Sequence, residues 1–193
     1  MPSYWDRLAQ TYTQIGEADF WLKHRRRITE GLSGRALEVC CGGGQLVVEL
    51  LRREVDAYGI DLSPKMTAQA QTKLAQVGFD PARVARADVT RLPFVAGSFD
   101  AVISTGAIGL FEHPVQRAAL AEMARVARRE VRLLESFEKR EGMYLGRALA
   151  FMFDGMHPIP QEIFRACGLD CTEAWDIFGG AFSYIRCLKG EKA

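Results

Sequence analysis

Glu38-Val39-Cys40-Cys41-Gly42-Gly43-Gly44-Gln45 is the stretch that decides the fold. Glycine loses more backbone freedom on ordering than any other residue, so three in succession need a reason. "RALEVC" (35–40), just before them, is a short apolar run that predicts a buried strand. "QLVVELLRREV" (45–55), just after, has the period of an amphipathic helix. The glycines therefore fall in a turn from strand to helix. In an open α/β sheet, ligands bind outside the carboxyl ends of the strands, where the strand order reverses. A Gly-rich turn there lets backbone N–H groups approach a ligand, beside a helix N-terminus that favours negative charge. A nucleotide-like ligand is the expectation.

Outward from this turn, helix and strand alternate. Residues 3–14 and 18–32 read as helices, the second with Trp21, Leu22, Ile28 and Leu32 on its apolar side and "KHRRR" (23–27) as a solvated face. "AYGID" (57–61) is a second strand and "SPKMTAQAQTKLAQV" (63–77) a second helix. Ser63 suits its N-cap, and Pro64 the first helical position. "RVARAD" (83–88) predicts a third strand, "SFDAVIST" (98–105) a fourth and "EVRLLES" (130–136) a fifth. A helix over 113–128 separates the last two, and 137–168 reads as mostly helical. The tail holds two strands around Gly179-Gly180, a hairpin signal. The pattern predicts a single α/β domain: a doubly wound, mostly parallel sheet with an antiparallel strand from the C-terminal hairpin.

Composition narrows the function. The chain has 193 residues, 48% of them apolar and 25% charged, which suits one globular domain. A net charge of +1 gives no broad field to attract nucleic acid or an anionic membrane. No run approaches the roughly 20 apolar residues of a membrane span. The opening "MPSYWDRLAQ" lacks a basic start followed by an apolar stretch. Five cysteines, an odd number, then argue for reduced thiols in a cytoplasmic protein. Cys167 and Cys171 have no companion His/Cys cluster, so no metal site is expected.

Acidic residues fall at the ends of the first three predicted strands: Glu38, Asp61 and Asp88. A carboxylate at such an edge can accept two hydrogen bonds from a ribose diol. A nicotinamide-binding fingerprint, G-x-G-x-x-G, is the rival. Starting at Gly42 it finds Gly44 and then Val47, so the third glycine is absent; starting at Cys40, the first is.

With these residues in hand, the sequence resembles the class I S-adenosylmethionine (SAM)-dependent methyltransferases over residues 3–136. "LEVCCGGGQ" is similar to the family's acidic-x-Gly-x-Gly-x-Gly motif, and "YGIDLSPKM" to its second-strand motif. "ADVTRLPFVAGSFDAVIS" and "LAEMARVAR" match the passage through the fourth strand and the following helix. "EMARV" and "FGGAFSYIRCLKG" resemble the small-molecule branch that includes the ubiquinone and menaquinone methyltransferases. The resemblance implies a seven-stranded Rossmann-like sheet, SAM as cofactor and S-adenosylhomocysteine as product. Glu38 and the backbone of Cys40, Gly42 and Gly44 would hold the methionine portion. Asp61 would accept from the ribose, with Leu62 packing on the adenine, and Met66 would also belong to the cofactor site. Asp88 would accept from the adenine amino group, and Val89 donate its N–H to the ring. Thr105 and Gly106 would present backbone near the sulfonium. "YWDRLAQTY" (4–12) resembles the N-terminal lid, within residues 1–32, with Tyr12 closing over SAM.

The departures lie in particular residues. Cys40 stands where the motif has its first glycine, "AIGLF" (107–111) lacks the quinone branch's Arg-Asn pair, and "RRE" replaces a "PGG" turn before the fifth strand. Transfer from a sulfonium is an in-line displacement that needs positioning and exclusion of water more than a catalytic group. Where an acceptor must lose a proton, Glu112, His113 and His157 are the candidate bases. For each histidine, a cap or surface role is the competing reading. The stretch "REGMYLGRALAFMFDGMHPIP" (140–160) carries methionines and aromatics on more than one helical face. It suits an adaptable apolar acceptor pocket within a 137–160 insertion, a core-covering helix or a homodimer face. The sequence thus points to methyl transfer to a small, apolar or aromatic acceptor, without nucleic acid. The alternatives are a catalytically silent SAM-binding or regulatory protein and a protein or RNA methyltransferase.

Overall fold

The computed structural model describes residues 19–135, 157–177 and 182–189. Tyr12, the helix expected over 3–14, the apolar stretch 140–156 and the Gly179-Gly180 turn lie outside them. Chain order is α1 (Asp19–Ile28), β1 (Arg35–Val39), α2 (Gln45–Arg52), β2 (Asp56–Asp61), α3 (Pro64–Gln76), β3 (Val84–Arg86) and β4 (Phe99–Thr105). Then come α4 (His113–Val126), β5 (Ala127–Glu135), α5 (Gln161–Ala166), β6 (Leu169–Ile177) and β7 (Phe182–Lys189). Short 3-10 turns occupy Pro81–Arg83 and Ile108–Leu110.

Seven strands form one sheet in the order β3-β2-β1-β4-β5-β7-β6. The pairs β1–β2, β2–β3, β1–β4 and β4–β5 are parallel, and β7 runs antiparallel to both neighbours. This is the expected doubly wound sheet. Strands buried on both faces read as continuous apolar runs, and β4 is buried along nearly its whole length. Successive residues face opposite cores. Leu37, Val102 and Leu133 pack on one side with α4 and α5. Ala36, Ala101 and Leu134 pack on the other with α2 and α3. The order reverses between β1 and β4, so the switch point lies above the carboxyl ends of those strands.

Several elements depart from expectation. The helix over 18–32 spans Asp19–Ile28 and is followed by Gly31 and Gly34 at positive φ. The Arg132 guanidinium donates to the Ile28 and Glu30 carbonyls at 2.8 and 2.6 Å, fastening this helix end to the sheet. The helix over 113–128 ends at Val126 and passes into β5 at Ala127 with no intervening loop. That is what "RRE" does in place of a Gly-rich turn. Arg128, Arg129 and Glu130 are strand residues, and the β4–β5 register shifts between Phe99 and Ala101. The expectation of five reduced thiols is corrected. Cys171 on β6 lies directly opposite Cys187 on β7, and the two form a disulfide; Cys40, Cys41 and Cys167 are free. Only the pairing register, which spacing does not give, brings these two together. No helix among the described residues is long and apolar enough to cross a membrane.

Candidate functional site

A cavity of about 730 Å³ opens at the switch point, within the usual range for small-molecule sites. Its floor begins with the turn after β1. Cys40 takes up φ +53, in the left-handed region where side chains are disfavoured. The Cys41 N–H donates to the Ile60 carbonyl at 2.9 Å, and the Gly42 N–H to Asp61 Oδ2 at 2.9 Å. Asp61 Oδ1 accepts from the Ser63 N–H at 2.9 Å. One carboxylate at the end of β2 thus holds both its own turn and its neighbour's. Ser63 caps α3 by accepting from the Met66 N–H, with Pro64 in the first turn, as the sequence predicts.

The glycines of the turn divide by role. Gly42 lines the cavity. Gly44 does not: at φ +74, a Cβ there would come within 2.8 Å of the Ala70 Cβ, so its bareness serves the crossing of α2 over α3. Gly59 of β2 belongs with them, because a Cβ on it would meet the Cys41 Sγ at 2.9 Å. The double cysteine is accommodated by a glycine on the next strand.

Eight of the twelve expected cofactor residues line the cavity: Cys40, Gly42, Asp61, Leu62, Met66, Asp88, Val89 and Gly106. Leu62 projects at its mouth, 58% exposed. Asp88 Oδ1 accepts from the backbone N–H of Thr90 at 2.9 Å and its hydroxyl at 2.7 Å. Glu38 and Thr105 lie at the adjacent strand ends without lining the cavity; the Thr105 hydroxyl donates to Glu38 Oε1 at 3.3 Å. Glu38 Oε2 is buried with no hydrogen-bond partner. Burial, helped by the Asp61 charge, pushes the Glu38 carboxyl up to about 8, against the pull of the Arg25 charge, the Thr105 hydroxyl and the nearby Val47 N–H. A buried carboxylate oxygen with no donor is costly unless something supplies one. Cys40 sits among these acids. Burial, and then the charges of Asp61, Glu135, Glu38 and Asp88, push its thiol well above the ordinary range, so it remains protonated and a poor nucleophile.

The opposite wall is apolar: Ala107, Leu110, Phe111 and Val115. The candidate bases stand behind it. Glu112 and His113 are exposed at the start of α4, with Glu112 at its N-cap position. The His113 and His157 rings meet edge-on, 6.1 Å between centroids. The His157 N–H donates to the Gly109 carbonyl and its own carbonyl accepts from Gln116. None of the three lines the cavity.

Three residues that shape the site are not among the site candidates the sequence offers. Glu135, at the end of β5, accepts from the Ser104 hydroxyl and from the Ala107, Ile108 and Gly109 N–H groups. Glu122 and Arg125 of α4 pin the segment after Asp88. Glu122 accepts from the Leu92 N–H at 2.7 Å, and Arg125 donates to the Leu92 and Phe94 carbonyls at 3.0 and 2.8 Å. This explains "EMARV" and "LPF" as a contacting pair. Both motifs were visible; their contact was not.

Residues 36–130 match a family model described as a methyltransferase domain. The phosphatidylethanolamine N-methyltransferase of Cereibacter sphaeroides is 34% identical over 112 residues, 56% of this chain and 54% of that protein. The demethylmenaquinone methyltransferase of Geobacillus kaustophilus is 32% identical over 106 residues, 53% and 44% respectively. The chain thus spans about half the length of these curated relatives. Among solved structures, a chain from the complex between the Haloferax volcanii Trm112 methyltransferase activator and a methyltransferase superposes with a TM-score of 0.78. It covers 99% of this chain and 100% of that one at 15% identity, a likeness of fold. The family match covers residues 36–130, just under half of the chain, and the sheet is the doubly wound one that the resemblance to the class I SAM-dependent methyltransferases implies. The cofactor of that class is SAM, and the donor set fits it: an orphaned acid for an ammonium and further acids along the same edge for hydroxyls and an amine.

Proposed function

We propose that this protein binds SAM across the switch point and transfers its methyl group to a small, apolar or aromatic acceptor. The observation that carries the reading is the buried, unpartnered Glu38 Oε2 beside the cavity. An α-ammonium is the donor it lacks, and a charge-assisted hydrogen bond would satisfy it. Asp61 would accept from the ribose hydroxyls, and Leu62 and Met66 would pack against the adenine. Asp88 Oδ2, which no described donor reaches, would accept from the amino group beside it, with the Val89 N–H on the ring. Gly106 and Thr105 would face the reacting end. When bound, SAM supplies an activated methyl on a sulfonium. The chain's part is to align the acceptor and keep water out.

Support for the acceptor class is the apolar wall of Ala107, Leu110, Phe111 and Val115, opposite the side that carries Asp61 and Asp88. The two named relatives act on a phospholipid and a quinone. Residues 1–32 would form a lid, with Tyr12 over the cofactor, and 137–160 an acceptor-side insertion, all within one domain. An acceptor that must lose a proton would draw on Glu112, His113 or His157. Near-neutral charge suits a cytoplasmic protein without nucleic acid partners.

A silent SAM-binding protein is the second reading, favoured by Cys40 in a left-handed conformation within the cofactor turn. Incubation with SAM and a panel of quinols, phenols and aminolipids separates the two. Formation of S-adenosylhomocysteine with any of them supports the enzyme. SAM binding with no turnover on any acceptor supports the silent protein, and no binding of SAM overturns both.

A further inference from the structure

We infer that Glu135 is a positioning residue for methyl transfer: it fixes the turn Gly106–Leu110 that walls the cavity, and draws that turn's amide donors away from the ligand. The inference rests on the SAM reading above.

Four consecutive N–H groups of this turn are occupied on the sheet side. Gly106 donates to the Leu134 carbonyl at 2.8 Å. Ala107 and Ile108 donate to Glu135 Oε1 at 2.9 and 3.1 Å, and Gly109 to Oε2 at 3.2 Å. The Ser104 hydroxyl adds a fourth bond to Glu135, at 2.8 Å. The start of a helical turn exposes amide donors and normally attracts anions. Here the anion is built in, and it comes from the next strand. Gly106, Ala107 and Leu110 line the cavity, whereas Glu135 is 1% exposed and does not reach it. The wall therefore offers the ligand no amide donor from these residues, which suits a cationic sulfonium and not an anion.

Burial raises the Glu135 carboxyl above its usual range while these four donors pull it down. A buried carboxylate is tolerated when hydrogen bonds replace its hydration, and is costly when they are removed. The turn is thus the first part of the fold to feel a change at Glu135. Through the Gly109 carbonyl, which accepts from the His157 N–H at 2.6 Å, the same change reaches the segment leading into α5.

Glu135→Gln keeps the shape but sets an amide N–H₂ against backbone donors. Ser104→Ala removes one donor and leaves the carboxylate in place. The measurements are hydrogen exchange at residues 106–111, exchange in β1 and β2, and calorimetric affinity for SAM. Glu135→Gln is expected to speed exchange in the turn at least tenfold, leave β1 and β2 unchanged and weaken SAM at least tenfold. Ser104→Ala is expected to move both in the same direction, by less than fivefold. Unchanged exchange in the turn overturns the inference. So does faster exchange with SAM affinity within twofold of the parent, or equal acceleration throughout the sheet. Should Glu135→Gln fail to fold, Ser104→Ala decides by the same two readings. A parent protein that binds no SAM sinks the functional reading instead, while the exchange measurement still reports whether Glu135 holds the turn.

Discussion

The turns after β1 and β4 face each other across the cavity, and each is held by a carboxylate at the end of the neighbouring strand. Asp61 of β2 accepts from Gly42 and Ser63; Glu135 of β5 accepts from Ala107, Ile108 and Gly109. The difference is where the carboxylate stands. Asp61 lines the cavity, so it can serve protein and ligand together, whereas Glu135 is sealed behind its turn. An acid at a strand end is therefore not by itself a ligand-binding acid. Exposure to the cavity separates contact from support.

The strongest way to break that comparison is Asp61→Ala. It removes the anchor of the Gly42 amide and the proposed ribose acceptor at once. Loss of charge-assisted hydrogen bonds worth about 1.5–3 kcal/mol predicts SAM binding weaker by roughly 10- to 150-fold. Titration calorimetry reads this directly. An affinity within threefold of the parent would mean that Asp61 supports the turn only, as Glu135 does.

A second effect sharpens the comparison by pH. Glu38 is pushed up to about 8 in the cofactor-free protein, so near neutrality it is largely protonated. Pairing with an ammonium needs the ionised form. SAM affinity is expected to rise as pH goes from about 6 to 8, by at most tenfold per unit, and then to level. The same rise should be missing in Glu38→Gln, and comparing the two proteins isolates this group. Stability of the cofactor-free protein moves the other way. The folded carboxyl binds its proton more tightly than the unfolded one, so between the ordinary carboxylate range and about 8 the folded state holds more protons. Stability should be greatest below that window and fall as pH rises through it. Melting temperatures of parent and Glu38→Gln at pH 5 and pH 8 check the sign; an equal pH response in both would remove Glu38 from the account.

How much of this was legible in the sequence follows the same division. The β1 turn, the Ser63 cap with Pro64, and the acids at the ends of β1 and β2 depend on neighbours in the chain, and local pattern finds them. Glu135 is last in an apolar strand, 26 residues beyond the Gly109 amide it accepts from, and nothing nearby marks it. Gly42 and Gly44 look alike in sequence. Only the position of Ala70 on α3 makes one a packing glycine and leaves the other to the cavity. Cys171 and Cys187 meet because of a hairpin register, and that register includes a shift between Cys171 and Glu173 that spacing could not foretell. The direct passage from α4 into β5 was hidden for a related reason: local pattern carries the helix to Arg128 and starts the strand at Glu130, and only the contacts across the sheet show the strand reaching back to Ala127, with Glu130 buried and accepting from Arg132 at 2.9 Å and Arg186 at 2.5 Å.

The smallest expected effect is at Cys40, inside the Asp61-held turn. Its φ of +53 is a conformation that costs a side-chain-bearing residue about 1–2 kcal/mol and glycine nearly nothing. Cys40→Gly removes that strain. It also loosens the unfolded chain, which returns about 0.4–1 kcal/mol to the unfolded state. The two terms leave a net gain between about zero and about 1.6 kcal/mol, and for a chain of this size that corresponds to a melting temperature higher by up to about 6 °C. The thiol is held protonated by burial and the surrounding acids, so no charge is lost with it. SAM affinity is therefore expected to stay within threefold of the parent or to tighten, because glycine clears space at a cavity-lining position. Thermal unfolding and calorimetry on the same preparation test both halves. A higher melting temperature with collapsed SAM binding would show that the thiol itself touches the cofactor, and that this turn recognises its ligand through a side chain as well as through backbone.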